Sequence, residues 1–254
     1  MCRGCCLYWH KSNLIIEANL KTVITTSHLP ESLDVASSAF DELYRVDVAN
    51  PADHPSVTSK EKRLIDILGA VVGLAIAATI TIPVAIAMQL DNPGPVFYSQ
   101  IRCGLNGRKF RIWKFRSMVV GADKLKHLVN NQAKGHIFKN ENDPRITRVG
   151  KFLRRTSLDE FPQFWNVLMG DMSLVGTRPP TVDEVMRYDD HHWERLNVKP
   201  GITGEWQANG RSSVQDFEDI VRMDIDYQQK WSVAYDLSLI FKTVMAVVKK
   251  KGAC

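Results

Sequence analysis

The sequence predicts an α+β protein that is mainly helical. A run of 24 uncharged residues, 67–90, is long enough for a membrane helix. Two short runs rich in aromatic and β-branched residues flank Asn106-Gly107, which is the pattern of a β-hairpin. Helical patterns recur in the last third of the chain. We divide the chain into three parts, which are an extension (1–59), a membrane helix (60–92) and a folded domain (93–254).

The first 59 residues differ from the rest in charge. They hold 4 Lys and Arg against 7 Asp and Glu, whereas the remainder holds 29 against 21. Because this part lacks periodicity, we predict a weakly structured extension with a short helix near 33–44. A basic body favours an anionic partner, such as a membrane surface, a phosphorylated substrate or nucleic acid. No nucleic-acid recognition motif occurs, so we expect no nucleic-acid partner.

The apolar run contains Pro83, which removes one backbone hydrogen bond and should kink the helix. Basic residues flank the run on both sides, within 60–63 and 102–111. Such residues prefer the cytoplasmic side of a membrane. We therefore predict a re-entrant helix whose two ends lie on one side, with a straight span as the alternative.

The predicted hairpin, 95–118, carries three cations of interest, Arg102, Lys114 and Arg116. They can point to one anionic site or form an ordinary solvated face. After the hairpin, 121–135 reads as a short polar helix.

Further helices are predicted at 181–196, 214–231 and 236–252. In the first, Thr181 and Glu184 have the spacing of a capping box. The adjacent His191 and His192 should face different directions, so we interpret them as surface residues. The last helix is amphipathic and ends in lysines, so it can lie on an anionic membrane or pack onto the body.

Asp159 and Glu160 are adjacent carboxylates, and the sequence allows two interpretations of the pair. Ser157 and Glu160 have the spacing of a capping box, and acidic residues favour a helix N-terminus. Pro162 fits that explanation less well, because it falls where an early hydrogen bond is expected. The alternative is a nucleophile beside a metal ligand.

Arginines around this pair favour the second reading. Bidentate arginine suits phosphate, and a carboxylate in positive potential stays ionised and nucleophilic. Mg²⁺ favours one or two carboxylates plus substrate phosphates. The pattern indicates phosphoryl transfer next to a membrane. The clustered arginines are Arg145, Arg148, Arg154, Arg155 and Arg178.

From about residue 60 onward the chain resembles the bacterial sugar transferase family, the monotopic polyprenyl-phosphate phosphoglycosyl transferases. The matching stretches occur in a fixed order and cover about three quarters of the chain. They are KRLIDILGAVVGL, the proline-broken apolar run, DNPGPVFYSQIRCGLNGRKFRIWKFRSM, DPRITRVGKFLRRTSLDEFPQFWNVLMGDMSLVGTRPP and KPGITGEWQANGRS.

The resemblance implies transfer of a sugar-1-phosphate from a UDP-sugar to undecaprenyl phosphate, with release of UMP. Asp159 matches the nucleophile that forms a phosphosugar-aspartyl intermediate, and Glu160 matches the partner that helps hold Mg²⁺. Pro83 matches the kink of a re-entrant helix. The resemblance favours glucose over galactose as the sugar and leaves a homodimer open. It places the catalytic domain on the cytoplasmic face of the inner membrane, in contact with lipid.

The arginine cluster and the family motifs together give the predicted phosphate- and substrate-binding residues. They are Lys114, Arg116, Arg145, Arg154, Arg178, Pro179, Gln207, Gly210, Arg211 and Asp224.

The chain also departs from the family pattern. Thr177 replaces the first proline of a Pro-Arg-Pro loop, Ile82 stands where many relatives carry serine, and Glu205 and Trp206 vary the Gly-rich loop. Rival functions are a membrane-anchored nucleic-acid binder, an inactive scaffold and a phosphohydrolase that uses the same aspartate.

Overall fold

The computed structural model describes residues 54–138, 140, 142–209, 214 and 216–248. The predicted extension up to residue 53, including its helix near 33–44, lies outside these residues. Just before the boundary proposed at residue 59, helix α1 forms one turn, Pro55–Thr58. A ring nitrogen of His54 lies 3.1 Å from the carbonyl oxygen of Gln228, so this turn contacts the domain.

The part of the chain that the structure describes is mainly helical, as predicted, with short strands. Its further α-helices are α2 (Lys60–Asp91), α3 (Arg148–Arg155), α4 (Phe164–Met169), α5 (Val182–Val185), α6 (Asp190–Trp193), α7 (Glu205–Asn209), α8 (Phe217–Lys230) and α9 (Val233–Val248). Its 3₁₀ helices are Leu105–Gly107, Ala122–Leu128, Leu158–Gln163 and Glu194–Leu196.

Helix α2 is continuous through Pro83 and is long and apolar enough to cross a membrane. One narrow stripe of the helix is buried along its whole length, and the other faces expose large apolar side chains. The buried residues are Lys62, Asp66, Ala70, Gly73, Ala77, Val84 and Met88. This stripe lies against the rest of the domain, so α2 packs along the body.

Polar contacts tie both ends of α2 to the domain. Near its start, Lys62 Nζ lies 2.5 Å from Asp236 Oδ2, and both side chains are buried. At its end, Asp91 accepts a hydrogen bond of 2.9 Å from the backbone N–H of Val149, in the first turn of α3. Arg116 donates to the side chain and carbonyl of Asn92, the residue that follows the helix.

The predicted β-hairpin is confirmed. Strands β1 (Phe97–Cys103) and β2 (Lys109–Phe115) pair antiparallel. Asn106 and Gly107 in the connection have φ of 52° and 75°, a conformation that Asn and Gly tolerate best. Tyr98 pairs with Lys114 across the strands, so their side chains share one face of the hairpin.

A second small sheet is parallel and joins β3 (Ser173–Val175) to β4 (Gly201–Thr203). Backbone approaches so closely there that a Cβ on Gly176 would lie 2.1 Å from the carbonyl oxygen of Lys199. The main core surrounds this sheet and draws on α2, β2, α4, α8 and α9. Its buried residues are Ala70, Phe110, Ile112, Val167, Met172, Leu174, Val175, Val198, Tyr227 and Leu239.

Two predicted helices are shorter than the sequence suggested. Within 121–135 the helical part is the 3₁₀ helix Ala122–Leu128. The segment 181–196 divides into α5, α6 and a 3₁₀ turn, although its capping box between Thr181 and Glu184 is confirmed. By contrast, α8 and α9 agree with the predicted helices.

The interpretation of both histidines as surface residues was wrong for His192, which is 1% exposed. In α6 its Nδ1 accepts a hydrogen bond from the backbone N–H of Asp189, and its ring packs against Phe217. The rings of His191 and His192 lie together, with centroids 3.8 Å apart, and both are within hydrogen-bond distance of the Glu218 carboxylate.

Candidate active site

A cavity of about 460 Å³ lies beside the β-hairpin. That volume is within the range of small-molecule sites. One face of the hairpin, the segment that follows β2 and the 3₁₀ helix Leu158–Gln163 form its walls. The charged residues on these walls are Arg102, Lys114, Arg116, Asp123, Lys126, Arg145, Arg154, Asp159, Glu160, Arg178 and Glu184. Cations outnumber carboxylates, so the cavity suits an anionic ligand.

The capping-box explanation for the adjacent carboxylates is wrong. Ser157 has φ of 56°, and its side chain makes no capping hydrogen bond. The segment begins as a 3₁₀ helix, into which Pro162 fits, and α4 starts only at Phe164. Asp159 and Glu160 lie in the first turn of this 3₁₀ helix and line the cavity, and a capping box does not explain the pair.

Asp159 is 6% exposed, although it lines the cavity. A buried carboxylate is costly unless nearby charges or hydrogen bonds compensate it. One charge of this kind is Arg154, in the last turn of α3, which interacts electrostatically with Asp159. Burial lowers the pKa of Arg154, and the Asp159 carboxylate opposes that shift. Arg154 Nε donates to Ser117 Oγ at 2.9 Å, which fixes the side chain at the cavity wall.

Lys114 and Glu160 form an ion pair across the cavity, with Nζ 3.2 Å from Oε1. Each side chain is about a quarter exposed, so the pair contributes at most about 1 kcal/mol to stability. Both groups can therefore exchange this contact for a ligand at little cost.

Arg116 and Arg145 line the cavity, but their guanidinium groups are held by the protein. Arg116 donates to Pro95 and Asn92 at 2.6 Å. Arg145 donates to Asp143, with the shortest contact at 2.6 Å, and to the carbonyl oxygen of Ala122. These arginines shape the wall of the cavity and contribute positive potential.

Arg178 lies at the other side of the cavity and donates to both carboxylate oxygens of Glu184, at 3.0 and 3.3 Å. Arg102 is next to it and donates to the carbonyl oxygen of Pro179 at 3.0 Å. Burial and the charge of Arg178 lower the pKa of Arg102 to about 10, which leaves it charged at neutral pH. The backbone carbonyl of Pro179 therefore contacts a cavity residue, but Pro179 itself is not part of the cavity wall.

Other predicted site residues lie elsewhere. Asp224 is 1% exposed and forms an ion pair with Arg195 at 2.5 Å, behind the loop that carries Arg178. Gln207 is on α7, outside the cavity lining, and its Oε1 is buried without a described hydrogen-bond partner. Gly210 and Arg211 lie outside the described residues. Pro83 is in the middle of α2.

The sequence prediction missed Tyr98, Asp123 and Glu184 as cavity residues. Strand alternation could have found the first, because Tyr98, Gln100 and Arg102 share a face with Lys114. Asp123 and Glu184 come from separate segments, and their approach to the hairpin depends on tertiary contacts.

The carboxylates fit the predicted magnesium ion. Mg²⁺ takes oxygen ligands and is usually bound by one or two carboxylates together with substrate phosphates. Asp159 and Glu160 bring two such groups to the wall of a cavity rich in cations, which would receive the phosphates. Glu160 is the more exposed of the two and is the better placed to hold the ion.

Comparisons with known proteins match most of the chain to one family. Residues 57–250 match the family model described as bacterial sugar transferase. The galactosyl transferase CpsE of Streptococcus agalactiae serotype III is 51% identical over 194 residues, covering 76% of this chain and 43% of the relative. The UDP-glucose:undecaprenyl-phosphate glucose-1-phosphate transferase of Escherichia coli K12 is 39% identical over 232 residues, covering 87% and 48%.

A shorter relative matches over most of its own length. The exopolysaccharide production protein ExoY of Rhizobium meliloti is 38% identical over 198 residues, covering 76% of this chain and 87% of the relative. The chain spans less than half the length of the two relatives above.

Proposed function

Because the chain belongs to the bacterial sugar transferase family, we propose that it transfers a hexose-1-phosphate from a UDP-sugar to undecaprenyl phosphate. Relatives named for this reaction use glucose or galactose. One relative is named for exopolysaccharide production, so the reaction would be the first membrane step in making such a glycan.

The observation that carries the proposal is the convergence of Asp159 and Glu160 with two cations on one cavity. Lys114 and Arg154 are within reach of the carboxylates and come from two other elements, β2 and α3. Positive side chains of this kind bind a diphosphate and stabilise charge that develops on it.

In the proposed reaction, an Asp159 oxygen attacks the phosphorus atom that carries the sugar. A new O–P bond forms, the bond between the two phosphates breaks, and UMP leaves with the electron pair. A phosphate oxygen of undecaprenyl phosphate then attacks the same phosphorus atom. The bond to Asp159 breaks, the carboxylate is restored, and the product is a lipid-linked sugar diphosphate.

The neighbouring side chains have distinct roles in this scheme. Lys114 and Arg154 bind the phosphate oxygens, and the buried position of Asp159 limits access of water to the intermediate. Arg102 and Arg178 add positive charge at the other side of the cavity. Mg²⁺, held by Glu160 and the diphosphate, would neutralise negative charge on the leaving phosphate.

The packing of α2 supports a re-entrant arrangement at the cytoplasmic face of the inner membrane. Both ends of the helix are tied to the same domain, and the buried stripe runs along the full helix between them. A helix that crossed a bilayer would carry one end away from a domain on the other side. Exposed apolar side chains of α9, such as Leu237 and Phe241, give the body a second lipid contact.

The activity is tested by UMP release from a panel of UDP-sugars, with Mg²⁺ and undecaprenyl phosphate in detergent. Wild type is compared with Asp159→Asn and with Asp219→Asn, which changes an exposed aspartate in the first turn of α8. We expect sugar-dependent release from wild type and the control, and none from Asp159→Asn. Equal release from Asp159→Asn would exclude this nucleophile, and hydrolysis without lipid-linked product would favour the phosphohydrolase.

The topology is tested with single cysteines at Thr58 and Pro93, two exposed positions that bracket α2. The five native cysteines are first replaced by alanine. In a re-entrant helix, an impermeant thiol reagent added from the periplasm labels neither position in intact cells and both after lysis. Labelling of one position only in intact cells would establish a spanning helix. Light scattering of the purified protein tests whether it forms a homodimer.

A further inference from the structure

Asp123 is a third carboxylate on the wall of the cavity, separate from the reacting pair. It lies in the first turn of the 3₁₀ helix Ala122–Leu128, and its side chain is exposed. The hydroxyl of Tyr98 lies 3.2 Å from each of its carboxylate oxygens. Burial and the Asp123 carboxylate raise the pKa of Tyr98 to about 12, so its hydroxyl stays a donor at neutral pH.

The register of the hairpin places this contact beside the reacting carboxylates. Tyr98 is directly opposite Lys114, and Cα atoms of such cross-strand partners are about 4.5–5.5 Å apart. Both side chains project from the same face of the hairpin. The Tyr98 hydroxyl contacts Asp123, and the Lys114 ammonium contacts Glu160. Asp123 therefore lines the same cavity as Asp159, within which a sugar-nucleotide donor would bind.

We propose that Asp123 binds vicinal hydroxyl groups of the sugar-nucleotide donor, and that Tyr98 is the residue that positions it; this rests on the proposed function. The hydroxyls belong either to the hexose or to the ribose of the nucleotide.

The chemistry of the contact favours this role. A carboxylate accepts hydrogen bonds from two neighbouring hydroxyls at once, and its charge makes those bonds stronger than neutral ones. Tyr98 bonds to both carboxylate oxygens and so fixes the orientation of the group, while each oxygen keeps a lone pair for a ligand.

The test is steady-state kinetics of the full chain with UDP-glucose and UDP-galactose, for wild type, Asp123→Asn and Tyr98→Phe. The exposed Asp219→Asn serves as the matched control. We expect Asp123→Asn to raise KM for the donor roughly ten- to hundredfold, the value of one or two hydrogen bonds to a charged group. Tyr98→Phe should raise KM less, and kcat should change little in either variant.

Inhibition by UMP distinguishes the two sources of the hydroxyls. If they belong to the ribose, Asp123→Asn weakens UMP inhibition and raises KM equally for both donors. If they belong to the hexose, UMP inhibition is unchanged while KM rises for both donors, and the preference between the donors shifts if the 4-hydroxyl is one of the two.

Two results would overturn the inference. One is a KM within twofold of wild type for Asp123→Asn. The other is a change confined to the Mg²⁺ concentration that gives half-maximal rate, which would make Asp123 a metal ligand. Absence of turnover in wild type would instead count against the proposed function itself.

Discussion

Neutralising Asp224 should destabilise the domain strongly, although this residue is outside the cavity. Asp224 and Arg195 form an ion pair at 2.5 Å, and their side chains are 2% and 0% exposed. Arg195 also donates to the hydroxyl of Tyr188 at 2.7 Å and to the carbonyl oxygen of Arg178 at 3.4 Å. The pair therefore supports the loop that forms one side of the cavity.

The variant Asp224→Asn keeps the shape of the side chain but leaves the charge of Arg195 buried without its counter-ion. Breaking a buried pair in this way costs roughly 3–5 kcal/mol. For a domain of 150–250 residues, each kcal/mol lowers the unfolding midpoint by roughly 2–4 °C. We expect a fall of roughly 6–20 °C, measured by thermal unfolding in detergent.

Two further variants make the test specific. Asp226→Asn removes an exposed ion pair with Lys230 on the same helix, which should cost roughly 0.5 kcal/mol or less. The double variant Arg195→Met with Asp224→Leu replaces both charges, and it should be more stable than Asp224→Asn alone. The reasoning is refuted if Asp224→Asn unfolds within 2 °C of Asp226→Asn, or if the double variant is the least stable.

Three other variants test separate parts of the structure. Hydrogen bonds from Arg145 hold the pKa of Asp143 below its ordinary value, so this stabilisation is present above about pH 4 and is lost on acidification. The unfolding midpoint of wild type should therefore fall more than that of Asp143→Asn between pH 5 and pH 3. An equal fall in the two midpoints would refute this. Gly73→Ala would place a Cβ 2.3 Å from the ring of Phe164, and overpacking of this kind should lower the free energy of unfolding in denaturant by about 1–3 kcal/mol. Lys114→Met should lower kcat/KM for the donor roughly 10²- to 10³-fold while the unfolding midpoint shifts by less than 3 °C; retained activity would remove this cation from the proposed reaction.

Elements specified by local sequence could be predicted. The hairpin follows from Asn106-Gly107, where positive φ is needed. The start of α5 follows from Thr181 and Glu184, which satisfy each other's backbone groups. The length of α2 follows from the apolar run. In the hairpin and in α5 the determining residues are within a few positions of one another, and in α2 they form one continuous segment.

The predictions that were wrong concern residues whose structure depends on contacts with distant parts of the chain. Ser157 and Glu160 have the same spacing as a true capping box, but tertiary contacts place Ser157 at positive φ and start a 3₁₀ helix instead. His192 was predicted to be a surface residue, but in the structure its ring packs against Phe217.

The candidate site shows the same division. Adjacent carboxylates and nearby arginines are visible in the sequence. Arg145, Arg154 and Arg178 line the same cavity as the carboxylates, whereas Arg148 and Arg155 are not part of its lining. The sequence does not show which arginines have their guanidinium groups occupied by hydrogen bonds within the protein. Arg116 and Arg145 are held by backbone oxygens and a carboxylate that only the fold brings close. No motif in the sequence near Asp123 indicated that this residue would line the cavity.

The ion pair at the start of α2 also sets an order of events during synthesis. Lys62 and Asp236 are 174 residues apart in the chain, so α2 is made long before its counter-ion. At 5–20 residues per second, a ribosome needs roughly 9–35 s to cover that distance. During this interval the nascent chain presents an apolar helix whose Lys62 lacks its final partner. Docking of α2 onto the domain is therefore a late step, completed only when α9 has been made.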